Sequence, residues 1–472
     1  HRDPILGLEV RAPPWIGWAA ASASKILSLY PAMNSTPRLK LFLMMVLEFF
    51  IWGAWLPLIF GYLPSLKFEV WQQQAILAAF PVASIVGMFF SNEFADRKFA
   101  AEKFLAFSHL VGGLAILGCG LTQSFWPFFI LMSVHCLLYV PTISITNSIA
   151  FANMRDPANE FGIIRMGGTI GWILAAWPFT FIFVDWDVVA KANTAGFVDW
   201  LGKALSSPLS GDAAKAATRW TYIVSGIASL ALAGLSLALP HTPPKKSTGG
   251  GTAWSQAFGL LKHPFVAILW LVTFIDSFVH NCYFNWTGVF LGTPKADGGV
   301  GIAANWITPV MSIGQVAEIL TMFVLGATLR TLGWRTTMIF GILGHAARFA
   351  VYSFVPDSPA LIILIQILHG ICYAFFFATV YIFVDAYFPK DIRSSAQGLF
   401  NLQILGVGAL VANYICPKLI QETFHVAGKT NFQGLFLVPL VASVAAAVAL
   451  AAFFHPPKQV AASAGGGSAP AH

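Results

Sequence analysis

The sequence contains few charged residues: only 10% of its 472 residues are Asp, Glu, Lys or Arg. A soluble protein carries about 25%, so an ordinary soluble domain is excluded. The net charge of +7 comes from cations scattered over helix ends and short loops, without a basic patch or arm. We therefore reject nucleic acid as a partner and interpret these cations as loop charges that orient a chain in a membrane.

Motifs for metal binding and catalysis are also missing. The five cysteines show neither a CxxC motif nor metal-ligand spacing, and we predict that they are buried free thiols. The sequence contains no cluster of His and Asp metal ligands, no nucleophile elbow and no phosphate loop. We therefore expect no cofactor, no metal and no enzymatic activity.

Apolar segments of membrane-spanning length are abundant, in a chain that is 57% hydrophobic. They predict an all-α polytopic membrane protein. We expect twelve transmembrane helices, at about 39–63, 72–92, 102–122, 125–150, 163–184, 219–240, 264–292, 303–328, 335–355, 359–386, 395–416 and 432–455.

The twelve predicted spans divide into two sets of six that echo each other. "HCLLY" at 135–139 in the fourth span is matched by "HGICY" at 369–373 in the tenth, and Glu48 in the first span by Asp276 in the seventh. With a Pro- and Gly-rich stretch between the sets, these echoes predict two six-helix bundles. The predicted organisation is an N-terminal extension at 1–38, bundles at 39–240 and 264–455, a cytoplasmic linker at 241–263 and a disordered tail at 456–472.

The ends of the chain carry less information. Residues 1–32 lack the features of a signal peptide, and Met33 is a candidate native start, so the extension is not assumed to be native. Lys and Arg are more frequent on the linker side of the predicted spans. This bias predicts that both termini lie in the cytoplasm.

The loop "FADRKFAAEK" at 94–103 resembles the signature of the major facilitator superfamily. In that superfamily the loop helps to latch the two halves, which implies a latch role for Asp96 and Arg97. Further stretches resemble, in family order, the nucleoside–proton symporter family of the superfamily; they are "LEFFIWGAWLP", "IIRMGGTIGWI", "LPHTPP", "MSIGQVAE" and "DIRSSAQGLF". The resemblance implies the major facilitator fold and import of nucleosides driven by a proton gradient.

The fifth predicted span carries Arg165, Thr169 and Trp172 on one helix face. Arg165 can donate to ribose hydroxyls or pair with an acidic group, and Trp172 offers a flat surface to a base. Composition alone favours an interfacial Arg and a packed Trp. The resemblance instead implies substrate contacts for all three.

The seventh span carries Asp276 and His280 one turn apart, as a substrate-facing or a purely structural pair. The resemblance implies a substrate-binding amide at Asn281. Phe284 is also predicted to contact the substrate, but it stands where the family has a second amide, so one hydrogen bond to the base is missing or moved to Asn285. The base preference is therefore open.

In the eighth span, Gln315 and Glu318 lie on one helix face, although a carboxylate within the membrane is costly. They match the family's Gln-x-x-Glu, which implies substrate binding by both and proton coupling by Glu318. A Glu318 carboxyl away from water could exchange a proton during transport. The alternative is a fixed ion pair between Glu318 and Arg348 or another cation.

In the tenth span, the resemblance places His369 and Tyr373 in the central substrate cavity; a core His and Tyr with satisfied hydrogen bonds is the alternative. Ala374 follows where well-known members have an acidic residue. Glu318 therefore acts alone or with Glu48 or Asp276.

Two other functions stay open, a major facilitator carrier for another polar solute such as a sugar, and a nucleoside uniporter. The expected partners are a nucleoside, protons and the lipid bilayer. We expect a monomer in the bacterial inner membrane.

Overall fold

The structure is a computed structural model that describes residues 36–154, 157–244, 258–388 and 393–456. Most of the predicted extension, the centre of the predicted linker and nearly all of the predicted tail lie outside these ranges. The helices of the N-terminal half are α1 Thr36–Ser65, α2 Val70–Lys98, α3 Ala101–Cys119, α4 Phe125–Asn153, α5 Pro157–Ala176, α6 Pro178–Ile182, α7 Trp186–Lys191, α8 Phe197–Leu205, α9 Gly211–Ala217 and α10 Trp220–Leu237.

The C-terminal half contains longer helices, several with π-helical turns. Its α-helices are α11 Pro264–Gly292, α12 Ala304–Phe354, α13 Pro359–Leu364, α14 Ile367–Cys372, α15 Thr379–Tyr387, α16 Arg393–Asn401, α17 Gly408–Lys418 and α18 Phe432–Phe453. The π-helical turns are Tyr373–Ala378, Leu402–Val407 and Leu419–Thr423. Short 3-10 turns are Leu260–Lys262 and Lys295–Asp297, and the strands β1 His425–Val426 and β2 Lys429–Thr430 form a small hairpin.

Helices of membrane-spanning length dominate both halves, because the polar backbone of an apolar segment must form its hydrogen bonds internally when it lies in lipid. Within the described ranges, nine helical segments are long and apolar enough to cross a membrane. One of them, α12, has 51 residues and breaks at Gly333, where φ is 72°. That break lies between the predicted eighth and ninth spans. The predicted all-α polytopic fold is confirmed, and the count of twelve spans stays a prediction.

Most helix packing occurs within each half. In the N-terminal half α1 packs along α5, and α3 along α10; in the C-terminal half α12 packs along α18, and α11 along α17. The two halves meet where α1, α2 and α5 contact α11, α12 and the segment 402–418. This interface between the halves is where the predicted site residues are expected to lie.

Candidate substrate site

A small cavity lies at the interface between the halves. It is lined by residues of α1, α5, α11 and α12, namely Gly53, Pro57, Trp172, Ala176, Tyr283, Phe284, Thr308, Met311, Ser312 and Gln315. Its volume of about 10 Å³ is close to the space that one water molecule needs. The helices are therefore packed closely around this point, and a larger ligand requires them to separate.

Close packing of α5 on α1 brings the first group of predicted residues to this interface. At Gly171, a Cβ atom would overlap the backbone carbonyl oxygen of Val46, so only glycine allows this approach. The Arg165 guanidinium lies 4.3 Å from the centre of the Phe49 ring. Within the ranges described, no protein group accepts a hydrogen bond from Arg165, so its donors remain available.

Trp172 stands in an aromatic group at the cavity wall. Its ring meets Trp52 edge to face at a centroid distance of 5.3 Å, and Phe284 of the other half at 6.1 Å. These contacts hold the indole ring in place, while part of its surface lines the cavity. Trp172 and Phe284 thus give the cavity a rigid aromatic wall.

Gln315 supplies an amide beside that wall. Its side chain is buried, and its Oε1 atom has no hydrogen-bond partner in the described part of the chain. A buried, unpaired amide oxygen is costly, so a ligand donor at this position would be favourable. Trp172, Phe284 and Gln315 are the predicted site residues that line this cavity together.

Glu318 lies one turn further along α12 and is half-buried. The charge of Arg165, on the opposite half, acts on its carboxylate. Neither an ion pair nor a hydrogen bond to this carboxylate occurs among the described residues. The alternative in which Arg348 pairs with Glu318 is wrong, because Arg348 bonds to His345 and His369 instead.

The other predicted residues stand further from the cavity. Asn281 donates from Nδ2 to the carbonyl oxygen of Ser277 in its own helix, at 2.8 Å. His369 is buried behind Tyr283, with ring centroids 4.1 Å apart. Tyr373 opens the π-helical turn Tyr373–Ala378, and the Glu318 charge acts on its hydroxyl. π-helical turns inside α-helices often occur at functional sites.

The structure leaves the predicted roles of Thr169, Asp96 and Arg97 untested. Thr169 is half-buried on the α5 face that also carries Trp172. Asp96 and Arg97 belong to helix α2, but their side chains lie outside the described part of the structure. The latch therefore stays a prediction.

Sequence reasoning missed several residues that line the cavity. Tyr283 and Met311 are the largest of them, and Gly53, Pro57, Ala176, Thr308 and Ser312 complete the set. All seven fall in the predicted spans that carry Trp52, Trp172, Phe284 and Gln315. Proximity to those residues was the only signal that could have identified them.

Hydrogen bonds between the halves close one side of the cavity. We call this side the distal face; it carries the connections 183–219 and 293–303, opposite the predicted linker. There the side-chain amides of Gln73 and Gln421 each donate to the other, at 3.1 and 2.6 Å. Asn413 donates to the Leu77 carbonyl oxygen at 2.9 Å, and Thr308 to that of Ala176 at 3.0 Å. The structure is thus a conformation that is closed at the distal face.

The comparisons with known proteins agree with this architecture. The Nucleoside H+ symporter family matches residues 33–199 and 191–459. The putative nucleoside transporter YegT of Escherichia coli (strain K12) is 30% identical over 401 residues, which cover 83% of this chain and 86% of YegT. The xanthosine permease of the same strain is 27% identical over 426 residues, covering 86% and 92% of the two chains.

A solved structure shows the same fold. The crystal structure of the nucleoside transporter NupG superposes with a TM-score of 0.72 at 24% identity, covering 90% of this chain and 100% of that one. Because the family match extends over nearly all of both helical halves, this chain belongs to the Nucleoside H+ symporter family.

Proposed function

We propose that this protein imports nucleosides by proton symport through alternating access. The observation that carries the proposal is the family match along both halves of the chain. The cavity supports a nucleoside over a sugar, because an aromatic wall and an unpaired amide meet there. Aromatic stacking suits a base, and an amide can both donate to and accept from it.

In the proposed binding mode, the base stacks on Trp172 and its polar edge meets Gln315. The ribose hydroxyls accept from Arg165, with Thr169 on the same helix face. Phe284 closes the opposite wall. For import, the helices separate at the distal face to admit the nucleoside and then on the linker side to release it, since the distal face is closed in this structure and the cavity holds about one water.

The other predicted residues have supporting roles in this proposal. Asn281, His369 and Tyr373 lie behind the cavity wall and contact the substrate only when the helices separate. Asp96 and Arg97 keep their predicted role as a latch between the halves.

Glu318 is the proposed proton carrier. Its carboxylate lacks a protein partner in the ranges described and faces the charge of Arg165 on the other half. When Glu318 is ionised, the attraction competes with the substrate for Arg165. Protonation of Glu318 removes that attraction and frees Arg165 for the ribose, so proton and nucleoside bind together.

The proposed arrangement in the membrane follows from the distribution of Lys and Arg between the loops. The protein is a multi-pass membrane protein, and we propose that it works as a monomer in the inner membrane with both termini in the cytoplasm. The distal face is then the outer face, and the present conformation prevents access from outside.

Uptake by reconstituted vesicles tests the proposal. Labelled uridine and adenosine are supplied with and without an inward proton gradient, and a protonophore is added in a parallel sample. We expect accumulation above equilibrium only with the gradient. Equal final levels in both conditions would identify a uniporter, and labelled sugar uptake without nucleoside uptake would identify a sugar carrier.

A further inference from the structure

The C-terminal half contains a buried group of ionisable side chains behind the cavity. We call it the C-half polar cluster; it comprises Asp276 and His280 of α11, His345 and Arg348 of α12, and His369 of α14. Asp276, His345 and Arg348 are 0% exposed, and His369 is 2% exposed. No step of the transport cycle proposed above involves this cluster, although buried ionisable groups in a membrane are costly.

Arg348 determines where the protons of two histidines lie. An arginine side chain only donates hydrogen bonds. Arg348 bonds to the Nδ1 atom of His345 at 2.9 Å and to the Nδ1 atom of His369 at 3.0 Å. Both Nδ1 atoms therefore accept, so both imidazoles are neutral and carry their proton on Nε2.

Asp276 faces one of those Nε2 protons but does not bond to it. The His345 Nε2 atom is 3.7 Å from Oδ2 of Asp276, too far for a hydrogen bond. Neither Asp276 oxygen nor His345 Nε2 has a partner elsewhere in the described ranges. An ionised carboxylate without hydrogen bonds is strongly disfavoured in such a site. This arrangement therefore suits a neutral, protonated Asp276.

A second arrangement is close in geometry. If α11 and α12 move by about 1 Å relative to each other, His345 Nε2 donates to an ionised Asp276 at normal hydrogen-bond length. The charge of Arg348, one side chain away, then offsets the charge of Asp276. Loss of a proton from Asp276 thus favours a different helix arrangement from the one that its protonated form favours.

Several other groups surround Asp276. His280 lies on the same helix as Asp276, and the Cys372 thiol faces Asp276 from α14. On the remaining sides, Ser277 of α11 donates to the Ile404 carbonyl oxygen at 2.8 Å. The turn Leu402–Val407 and helix α18 contain no Asp, Glu, Lys, Arg or His. Among the described residues, His345 is the only Lys, Arg or His side chain with a nitrogen within 4.0 Å of an Asp276 oxygen, at 3.7 Å.

The cluster contacts the cavity wall directly. The Arg348 guanidinium lies 4.2 Å from the centre of the Tyr283 ring, and His369 stacks on the same ring. Tyr283 lines the cavity. Gly370, next to His369, packs so closely on the α12 backbone at Glu318 that a Cβ atom would overlap it. These close contacts give a shift at Asp276 a direct route to the cavity and to Glu318.

We propose that Asp276 is a second proton-binding carboxyl of the transport cycle, and that Arg348 and His369 are positioning residues that link it to the cavity. The inference rests on the proton symport proposed above. In each cycle Asp276 binds one proton from the outer solution through an O–H bond and releases it inside. His345 Nε2–H bonds to the carboxylate while that proton is absent.

The test measures the ratio of protons to nucleosides in vesicles, from the uridine accumulated at a series of imposed pH gradients. We expect Asp276→Asn to exchange uridine but to lose one transported proton relative to the parent. Asp276→Glu, which keeps a carboxyl, should retain the parent ratio. Asp212→Asn, at a fully exposed aspartate in α9, is the matched control and should also retain it.

The outcomes separate this inference from the proposed function. A parent without gradient-driven accumulation would contradict symport itself. A parent that accumulates uridine, with Asp276→Asn at the parent ratio, would overturn the role of Asp276. If Asp276→Asn does not fold, His345→Gln decides the question. That substitution should move the pH midpoint of uridine exchange, and an unchanged midpoint would reject the proposal.

Discussion

Replacement of Trp172 by alanine removes the indole ring from the aromatic wall of the cavity. Contacts with Trp52 and Phe284, at 5.3 and 6.1 Å between ring centroids, hold the ring from two sides. The remaining surface faces the cavity, where the base is proposed to stack. Because these contacts fix the ring before binding, little ordering is needed when a nucleoside arrives.

The size of the effect follows from the lost stacking surface. Stacking of one base on an aromatic side chain contributes about 1–3 kcal/mol, which corresponds to a Kd about 5- to 150-fold higher. Trp172→Phe keeps a smaller ring and should lose less affinity. Trp126→Ala is a matched control, because Trp126 is 63% exposed at the start of α4 and away from the cavity.

Equilibrium binding of labelled uridine to the purified protein measures the Kd, and thermal unfolding of each variant shows whether the fold is retained. We expect the affinity to decrease in the order parent, Trp172→Phe, Trp172→Ala. If Trp172→Ala binds uridine as tightly as the parent and Trp126→Ala, the ring has a structural role only. The proposed binding mode would then be wrong.

Three further predictions concern coupling, gating and packing. Glu318→Gln has nearly the shape of the parent but cannot release a proton, so it should exchange nucleoside and lose gradient-driven accumulation; accumulation at the parent level would exclude Glu318 as the carrier. Gln73→Ala removes the reciprocal amide bonds of the distal face and about 1 kcal/mol of its closure. Combined with Pro57→Cys, this change should make the introduced thiol react about fivefold faster with an impermeant maleimide added outside. An unchanged rate would argue against a gate there. Gly171→Ala should lower the unfolding temperature, because its Cβ overlaps an α1 carbonyl. Gly202→Ala, whose Cβ meets no atom within 4 Å, should not.

The sequence was informative about the helices and about which residues are chemically unusual. Gln315 and Glu318 were identified because polar groups are rare in apolar segments. Trp172 was assigned to the site by the family resemblance, since composition alone favoured a packed Trp. The structure brings Trp172, Phe284 and Gln315 to one cavity. The roles of these residues stay predictions until binding is measured.

Other residues depended on contacts that no local pattern contains. Arg348 was considered only as a partner for Glu318, yet it bonds to His345 and His369. His345 carried no signal of its own, because its significance comes from Asp276 on another helix. The reciprocal bonds of Gln73 and Gln421 likewise join residues from opposite halves of the chain.

There is a physical reason why the sequence predicts the helices but not the contacts between them. In lipid, the backbone of each apolar segment must form its own hydrogen bonds, so helix formation and membrane location are local properties that the sequence alone determines. Side-chain spacing also determines which residues share a face of one helix. The rotation of each helix about its axis, and the neighbour that each face meets, result from the packing of many side chains at once. Only the tertiary structure therefore decided that the cavity is closed at the distal face and that Asp276 lies opposite His345.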